Sequence, residues 1–201
     1  MKIFVMLFLL EYFIGSLMFS YWLGKLSGKD ITQAGDGNPG AYNLIKSAGF
    51  KKGFLGLALD YLKGFLPLYY IVENSQKLNL SECQLALICS APLLGHAFSP
   101  FMKFKGGKAL AVTFGVWSAL TKWEVPVLMG FIFTFFLLYQ PKMFDKQTWQ
   151  SFAPAVGLAG ILIYLLLKES NLTMWIVWTL NSFVVLLKFY FLPALNRRIA
   201  R

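Results

Sequence analysis

Apolar runs long enough to cross a bilayer recur along the whole chain, and they restrict its fold more than any other feature. A spanning helix needs about 20 mostly apolar residues. Seven segments meet or approach that requirement: 3–24, 53–72, 82–99, 107–121, 123–140, 151–168 and 172–192. Hydrocarbon offers no partner to open backbone groups, so a span is either a helix or part of a closed barrel. A barrel strand alternates apolar and polar residues. Ile161-Leu-Ile-Tyr-Leu-Leu-Leu167 does not. The fold expected is an all-α integral membrane protein, a seven-helix transmembrane bundle forming a single multi-pass domain over 1–201. Composition agrees: 57% of the residues are hydrophobic and 14% charged, against about 45–50% and about 25% in a soluble domain. The first run, Ile3 to Leu23, has spanning length and no small-residue cleavage site after it, so it reads as a retained helix and not a signal peptide.

Lys and Arg set the orientation. Of 19 such residues, 14 fall on one side: Lys25, Lys29, Lys46, Lys51, Lys52, Lys103, Lys105, Lys108, Lys142, Lys146, Lys188, Arg197, Arg198 and Arg201. Lys2, Lys77, Lys122 and Lys168 fall on the other, and Lys63 lies inside a span. The N-terminus is therefore expected outside, and the long loops and the C-terminus in the cytoplasm, in the cell (inner) membrane. Topology and anionic lipid headgroups account for most of this charge, and no nucleic-acid partner is expected. The chain has one His and no Cys-x-x-Cys spacing, so no metal or cofactor is expected. Cys83 and Cys89 read as packing residues. The longer cytoplasmic loops are where function should lie.

Four segments could carry chemistry. In Ala34-Gly-Asp-Gly-Asn-Pro-Gly-Ala-Tyr-Asn43, Gly37, Gly40 and a third glycine allow close backbone approach. Successive free amides there can form an anion nest, and Asn38 and Asn43 suit hydroxyl groups. A helix beginning near Pro39–Tyr42 would aim its N-terminus at the nest. An ordinary tight loop fits the composition equally well. In Phe104-Lys-Gly-Gly-Lys-Ala109, the amides of Gly106 and Gly107 with the ammonium groups of Lys105 and Lys108 suit phosphate at a helix N-terminus. A capped helix with topogenic lysines is the plainer reading. The run is not a Walker A loop, because Ala109 follows Lys108 and Met102 replaces the first glycine.

In Leu59-Asp-Tyr-Leu-Lys-Gly64, Asp60 and Lys63 share a helix face within a span. An unpaired charge there costs about 2.5–3.5 kcal/mol, so the two are expected to pair, as an interhelical clamp or as substrate ligands. Glu11 needs a partner for the same reason. The fourth segment is Leu94-Gly-His-Ala-Phe-Ser-Pro100, where His96 reads either as a hydrogen-bonded structural residue or as a base.

In this order the four segments resemble the acyl-phosphate:glycerol-3-phosphate acyltransferase family of the bacterial PlsY type. That family shows Gly-Ser-Gly-Asn-x-Gly-Ala-Thr-Asn, Asp-x-x-Lys-Gly, Gly-His-x-Phe-Pro and Phe-Lys-Gly-Gly-Lys-Gly. The chain has Gly35 to Asn43, Asp60 to Gly64, Gly95 to Phe98 and Phe104 to Lys108 at matching intervals. The resemblance implies a seven-helix bundle with a cytoplasmic active site. It also implies transfer of a fatty acyl group from acyl phosphate to the sn-1 hydroxyl of glycerol-3-phosphate, with membrane lipid and other lipid-synthesis enzymes as further partners. Asp36 and His96 become candidate catalytic residues. Lys46 stands for a family Arg, and Thr148 and Ser151 match a family Ser-x-x-Ser. Asp36 replaces the family's Ser, Tyr42 its Thr and Ala109 a Gly, and the C-terminal His-Arg-x-Asn motif is missing. These departures admit a second reading, a non-catalytic relative that binds lipid precursors or a partner enzyme.

Overall fold

The computed structural model describes residues 1–193. Arg197, Arg198 and Arg201, counted above with the basic side, lie outside the described residues. Among the described residues there are ten α-helices and no strand. They are α1 (Lys2–Ser16), α2 (Phe19–Leu26), α3 (Ala41–Ala48), α4 (Phe50–Glu73), α5 (Glu82–Ala97), α6 (Leu110–Thr121), α7 (Glu124–Leu138), α8 (Lys146–Ser151), α9 (Ala153–Leu167) and α10 (Leu172–Leu186). A π-helical turn, Leu187–Phe191, extends α10.

All seven apolar segments are helical, and five of the stretches are long and apolar enough to cross a membrane: Lys2–Leu26, Phe50–Glu73, Glu82–Met102, Thr148–Leu167 and Leu172–Phe191. α6 and α7 have 12 and 15 residues, about 18 and about 22 Å at 1.5 Å per residue. Leu138, Leu167 and Phe131 are 79%, 81% and 72% exposed. Apolar surface of that extent belongs in hydrocarbon.

Without a hydrophobic force between helices in lipid, close packing depends on small residues. Two crossings use them. On α1 and α5, a β-carbon at Gly15 would overlap Pro92, and one at Gly95 would overlap the Tyr12 carbonyl. Ser99 Oγ donates to Ser16 O at 2.7 Å and Tyr12 Oη to Phe98 O at 3.0 Å, which locks the same end of that pair. On α4 and α6, Gly64 lies against Val112 and Gly115 against the Tyr61 carbonyl.

The first apolar run departs from the continuous helix expected over 3–24. It breaks between α1 and α2, where Leu17 and Met18 leave helical backbone. A long-range contact accompanies the break: Lys63 Nζ on α4 donates to the Leu17 carbonyl that it frees. Glu11 also differs from expectation. It is fully buried, and neither carboxyl oxygen has a hydrogen bond among the described residues.

A polar relay ties α10 to the bundle. Trp117 Nε1 donates to Asn181 Oδ1 at 3.0 Å, and Asn181 Nδ2 donates to Thr113 Oγ1 at 2.9 Å. Asn181→Leu leaves the buried indole N–H without its acceptor. A loss of about 1–3 kcal/mol is expected, read as a lower SDS midpoint in mixed micelles. An unchanged midpoint would show that α10 docks by apolar contact alone.

Candidate active site

The loop 27–40, the loop 98–109 and the π-helical turn converge at one end of the bundle. At the other end, Thr173 N bonds Glu82 Oε2 at 3.2 Å and Lys168 Nζ pairs with Glu124 at 3.2 Å.

The first glycine-rich segment is a turn that feeds α3, which starts at Ala41 with Gly40 as its N-cap. Gly35 and Gly37 take φ of +58° and +74°, backbone that favours glycine. Between them Asp36 closes an Asx turn, its Oδ1 accepting from Asn38 N at 3.2 Å. Asn43 is buried, and its Nδ2 donates to Asp36 Oδ1 and to Asn38 O, both at 2.9 Å. Asn43 therefore faces into the turn and shapes it, while Asn38 remains partly exposed beside Gly40.

The second glycine-rich segment is held by His96. Gly107 N donates to His96 O at 2.9 Å. A β-carbon at Gly106 would overlap that carbonyl oxygen, and one at Gly107 would overlap His96 Nε2. The glycines are there for close approach. Three residues that are not glycine take left-handed backbone around them: Lys103, Phe104 and Ala109, at φ of 51°, 62° and 59°. Such positions cost about 1–2 kcal/mol each. The anion nest is smaller than the sequence implied, because Gly107 N is spent on His96 and Lys105 N on Met102 O. Among the described residues, the amides of Gly106 and Lys108 carry no such bond.

The two segments meet through one ion pair. Lys108 Nζ donates to Asp36 Oδ2 at 2.7 Å, across 72 residues of sequence. The Asp36 side chain is 38% exposed and that of Lys108 24%. Partial burial pushes the Asp36 carboxyl up, but the Lys108 ammonium, the Asn38 N–H and the Asn43 amide outweigh it and hold it below the ordinary carboxylate range. Asp36 is thus an anion at neutral pH.

Beneath this surface pair lies a buried one. Lys63 Nζ is 2.8 Å from Asp60 Oδ1, and Ser20 Oγ donates to Asp60 Oδ2 at 2.7 Å. The Lys63 contact lies off the hydrogen-bonding direction, so it is Coulombic. The ammonium's hydrogen bonds go to Leu17 O and to His96 Nδ1, the latter at 2.9 Å. Because Nδ1 faces an ammonium it accepts, which leaves the imidazole proton on Nε2, against Gly107.

The remaining residues scatter. Lys105 and Lys46 are exposed, the latter with Nζ 4.5 Å from the Tyr42 ring centroid. Ser151 Oγ donates to Thr148 O at 2.7 Å, and Tyr190 Oη donates to Ser151 O at 2.6 Å. Thr148 and Ser151 are thereby tied to the π-helical turn. That turn also supplies what sequence reasoning missed. Lys188 Nζ reaches Gly106 O at 3.4 Å and lies 4.8 Å from the Phe98 ring centroid, and Phe189 sits 4.2 Å from Lys108 Nζ. A lysine placed after a long apolar helix resembles any topogenic charge, and nothing local sets Lys188 apart.

An apolar helical bundle whose one end gathers ammonium groups and free amides, with Asp36 and Lys108 joining its two glycine turns, has the layout of an integral membrane protein with a basic site at one end. Comparison with known proteins gives the family. A model of the glycerol-3-phosphate acyltransferases matches residues 5–195. Similar relatives include glycerol-3-phosphate acyltransferase 1 of Thermotoga maritima, 42% identical over 81% of this chain and 81% of its own length. The glycerol-3-phosphate acyltransferase of Leptospira borgpetersenii is 37% identical over 85% of this chain and 77% of its own. The crystal structure of PlsY, an integral membrane glycerol 3-phosphate acyltransferase, in its glycerol 3-phosphate form is similar with a TM-score of 0.80 at 26% identity, covering 98% of this chain and 92% of that one. The chain belongs to the glycerol-3-phosphate acyltransferase family, and it is a membrane acyltransferase of phospholipid synthesis.

Proposed function

We propose that the enzyme moves a fatty acyl group from acyl phosphate to the sn-1 hydroxyl of glycerol-3-phosphate, releasing phosphate, at the cytoplasmic face of the inner membrane. The observation that carries this reading is the meeting of the two glycine-rich turns through Asp36 and Lys108 at the basic end of an apolar bundle. The crystallised PlsY relative has a glycerol 3-phosphate form and a lysophosphatidic acid form, which supports the acceptor and the product. Seven crossings, with the N-terminus outside and the C-terminus cytoplasmic, form one membrane domain. The charge asymmetry read from the sequence supports that arrangement.

Acyl phosphate is already activated, so positioning and charge stabilisation can supply most of the acceleration. Lys105, Lys108 and the free amides of Gly106 and Lys108 hold phosphate, with Lys46 drawing anions to the surface. Asn38 meets acceptor hydroxyls. Asn43, Gly37 and Gly40 shape the first turn, and Thr148 and Ser151 support the π-helical turn that brings Lys188 to the site. The acceptor oxygen bonds the acyl carbonyl carbon while Asp36 takes the hydroxyl proton. The carbonyl carbon–phosphate oxygen bond then breaks and phosphate leaves with that electron pair. His96, first read as catalytic, is better read as a positioning residue: it is 4% exposed, and both ring nitrogens face protein groups. Asp60 and Lys63 are structural.

Protein in lipid nanodiscs, given palmitoyl phosphate, is expected to release phosphate and form lysophosphatidic acid only when glycerol-3-phosphate is present. Equal phosphate release without acceptor, or no acylated product by mass spectrometry, would end this reading.

A further inference from the structure

The Asp36 carboxylate is an anion held by donors from two loops: Lys108 Nζ at 2.7 Å, Asn43 Nδ2 at 2.9 Å and Asn38 N at 3.2 Å. Carboxylate and phosphate oxygens are interchangeable acceptors for such groups. Resting on the reading above, we propose that Asp36 is a built-in competitor: with no substrate bound it occupies the seat of the acceptor's phosphate, and that phosphate must displace it from Lys108 in order to bind.

Three features support an exchangeable seat. The side chain is 38% exposed, so rotation about its own bonds can carry the carboxylate off Lys108 while leaving it at the site. Gly37, with φ of +74°, is exposed, and a β-carbon there would meet only the Thr32 carbonyl, at 3.3 Å. The carboxylate is held at its tip, while the backbone beside it stays fixed by Gly37 N on Ala34 O at 3.0 Å, so the side chain can swing without the turn moving. Finally, Lys108 cannot serve both anions at full strength. Two negative groups around one ammonium repel at close range, and the half-buried setting enlarges that repulsion.

The exchange couples recognition to chemistry. While Lys108 holds the carboxylate, Asp36 is a weak base. A phosphate that takes Lys108 strips Asp36 of its counter-ion and leaves an anion beside it, and both changes favour protonation of the carboxylate. The base is armed by the phosphate of the acceptor itself, so Asp36 selects phosphorylated acceptors over neutral polyols.

Isothermal titration of the detergent-solubilised protein with inorganic phosphate, with glycerol-3-phosphate and with glycerol tests this. Asp36→Asn and Asp36→Ser are expected to bind both phosphate ligands about fivefold to tenfold more tightly than wild type, while turnover falls and glycerol binding stays unchanged. Asp36→Asn keeps the side-chain shape and an acceptor for Asn38 N, so one variant survives if Asp36→Ser folds poorly. Unchanged or weaker phosphate binding in folded variants overturns the proposal, as does an equal gain for glycerol. Tighter phosphate binding in an enzyme that never turns over would sink the acyltransfer reading and leave the competitor standing. Normal turnover with unchanged affinities would do the reverse.

Discussion

Lys63→Met is expected to destabilise the folded bundle by about 3–5 kcal/mol, because it strands Asp60 as an uncompensated charge in a protein interior. Asp60 and Lys63 are buried, 2% and 5% exposed, so solvent cannot replace the missing partner. The pair joins three elements: Asp60 also accepts from Ser20 on α2, and Lys63 also donates to Leu17 at the helix break and to His96 on α5. Adding Asp60→Asn removes the orphan charge, and a pure ion pair would then recover almost fully. Here recovery is expected to be partial. The Leu17 carbonyl and His96 Nδ1 still lack their donor, at about 1–3 kcal/mol for a buried unsatisfied group. SDS midpoints of the two variants in mixed micelles check this. A single variant as stable as wild type would show that the pair carries no structural load. Complete recovery in the double variant would show that Leu17 and His96 contribute nothing.

This cluster also marks how far the sequence could be read. Spacing placed Asp60 and Lys63 on one face, and the cost of an unpaired charge in hydrocarbon required a partner. It could not indicate that Leu17 would be the third member. The helix break there carries no proline, and the lysine that meets its free carbonyl lies 46 residues away. The glycines of the 104–109 segment were legible as a loop with amides to offer, but no local pattern divides them. Gly107 spends its amide on His96 while that of Gly106 carries no such bond among the described residues, and a β-carbon at either would overlap His96. Asp36 was legible as a departure from the family's serine and as a candidate catalytic residue. That it bridges the two turns depends on where α6 begins relative to α3, which no local pattern encodes. Lys188 stayed hidden because a charge after an apolar helix serves topology in most chains.

The second large effect is expected at Gly106. Gly106→Ala should lower kcat/KM for glycerol-3-phosphate about 10²-fold, the cost of displacing a site by roughly 1 Å. The new β-carbon overlaps the His96 carbonyl oxygen and comes within 3.0 Å of the Ala97 carbonyl group. These are backbone atoms of α5, which is locked to α1 by Gly95 against Tyr12 and by Ser99 against Ser16. The helix cannot yield, so the loop must. Moving the loop stretches the Gly107–His96 hydrogen bond, lifts Lys108 from Asp36 and pulls Gly106 O from Lys188. Stability should fall by only about 1–3 kcal/mol, the usual cost of overpacking. Gly130→Ala is the matched control: its β-carbon would meet nothing within 4 Å, and full activity is expected. Comparable activity of Gly106→Ala and wild type would mean that the seating of this loop on His96 does not position the phosphate-binding groups, and the chemistry would have to be sought elsewhere on the same face.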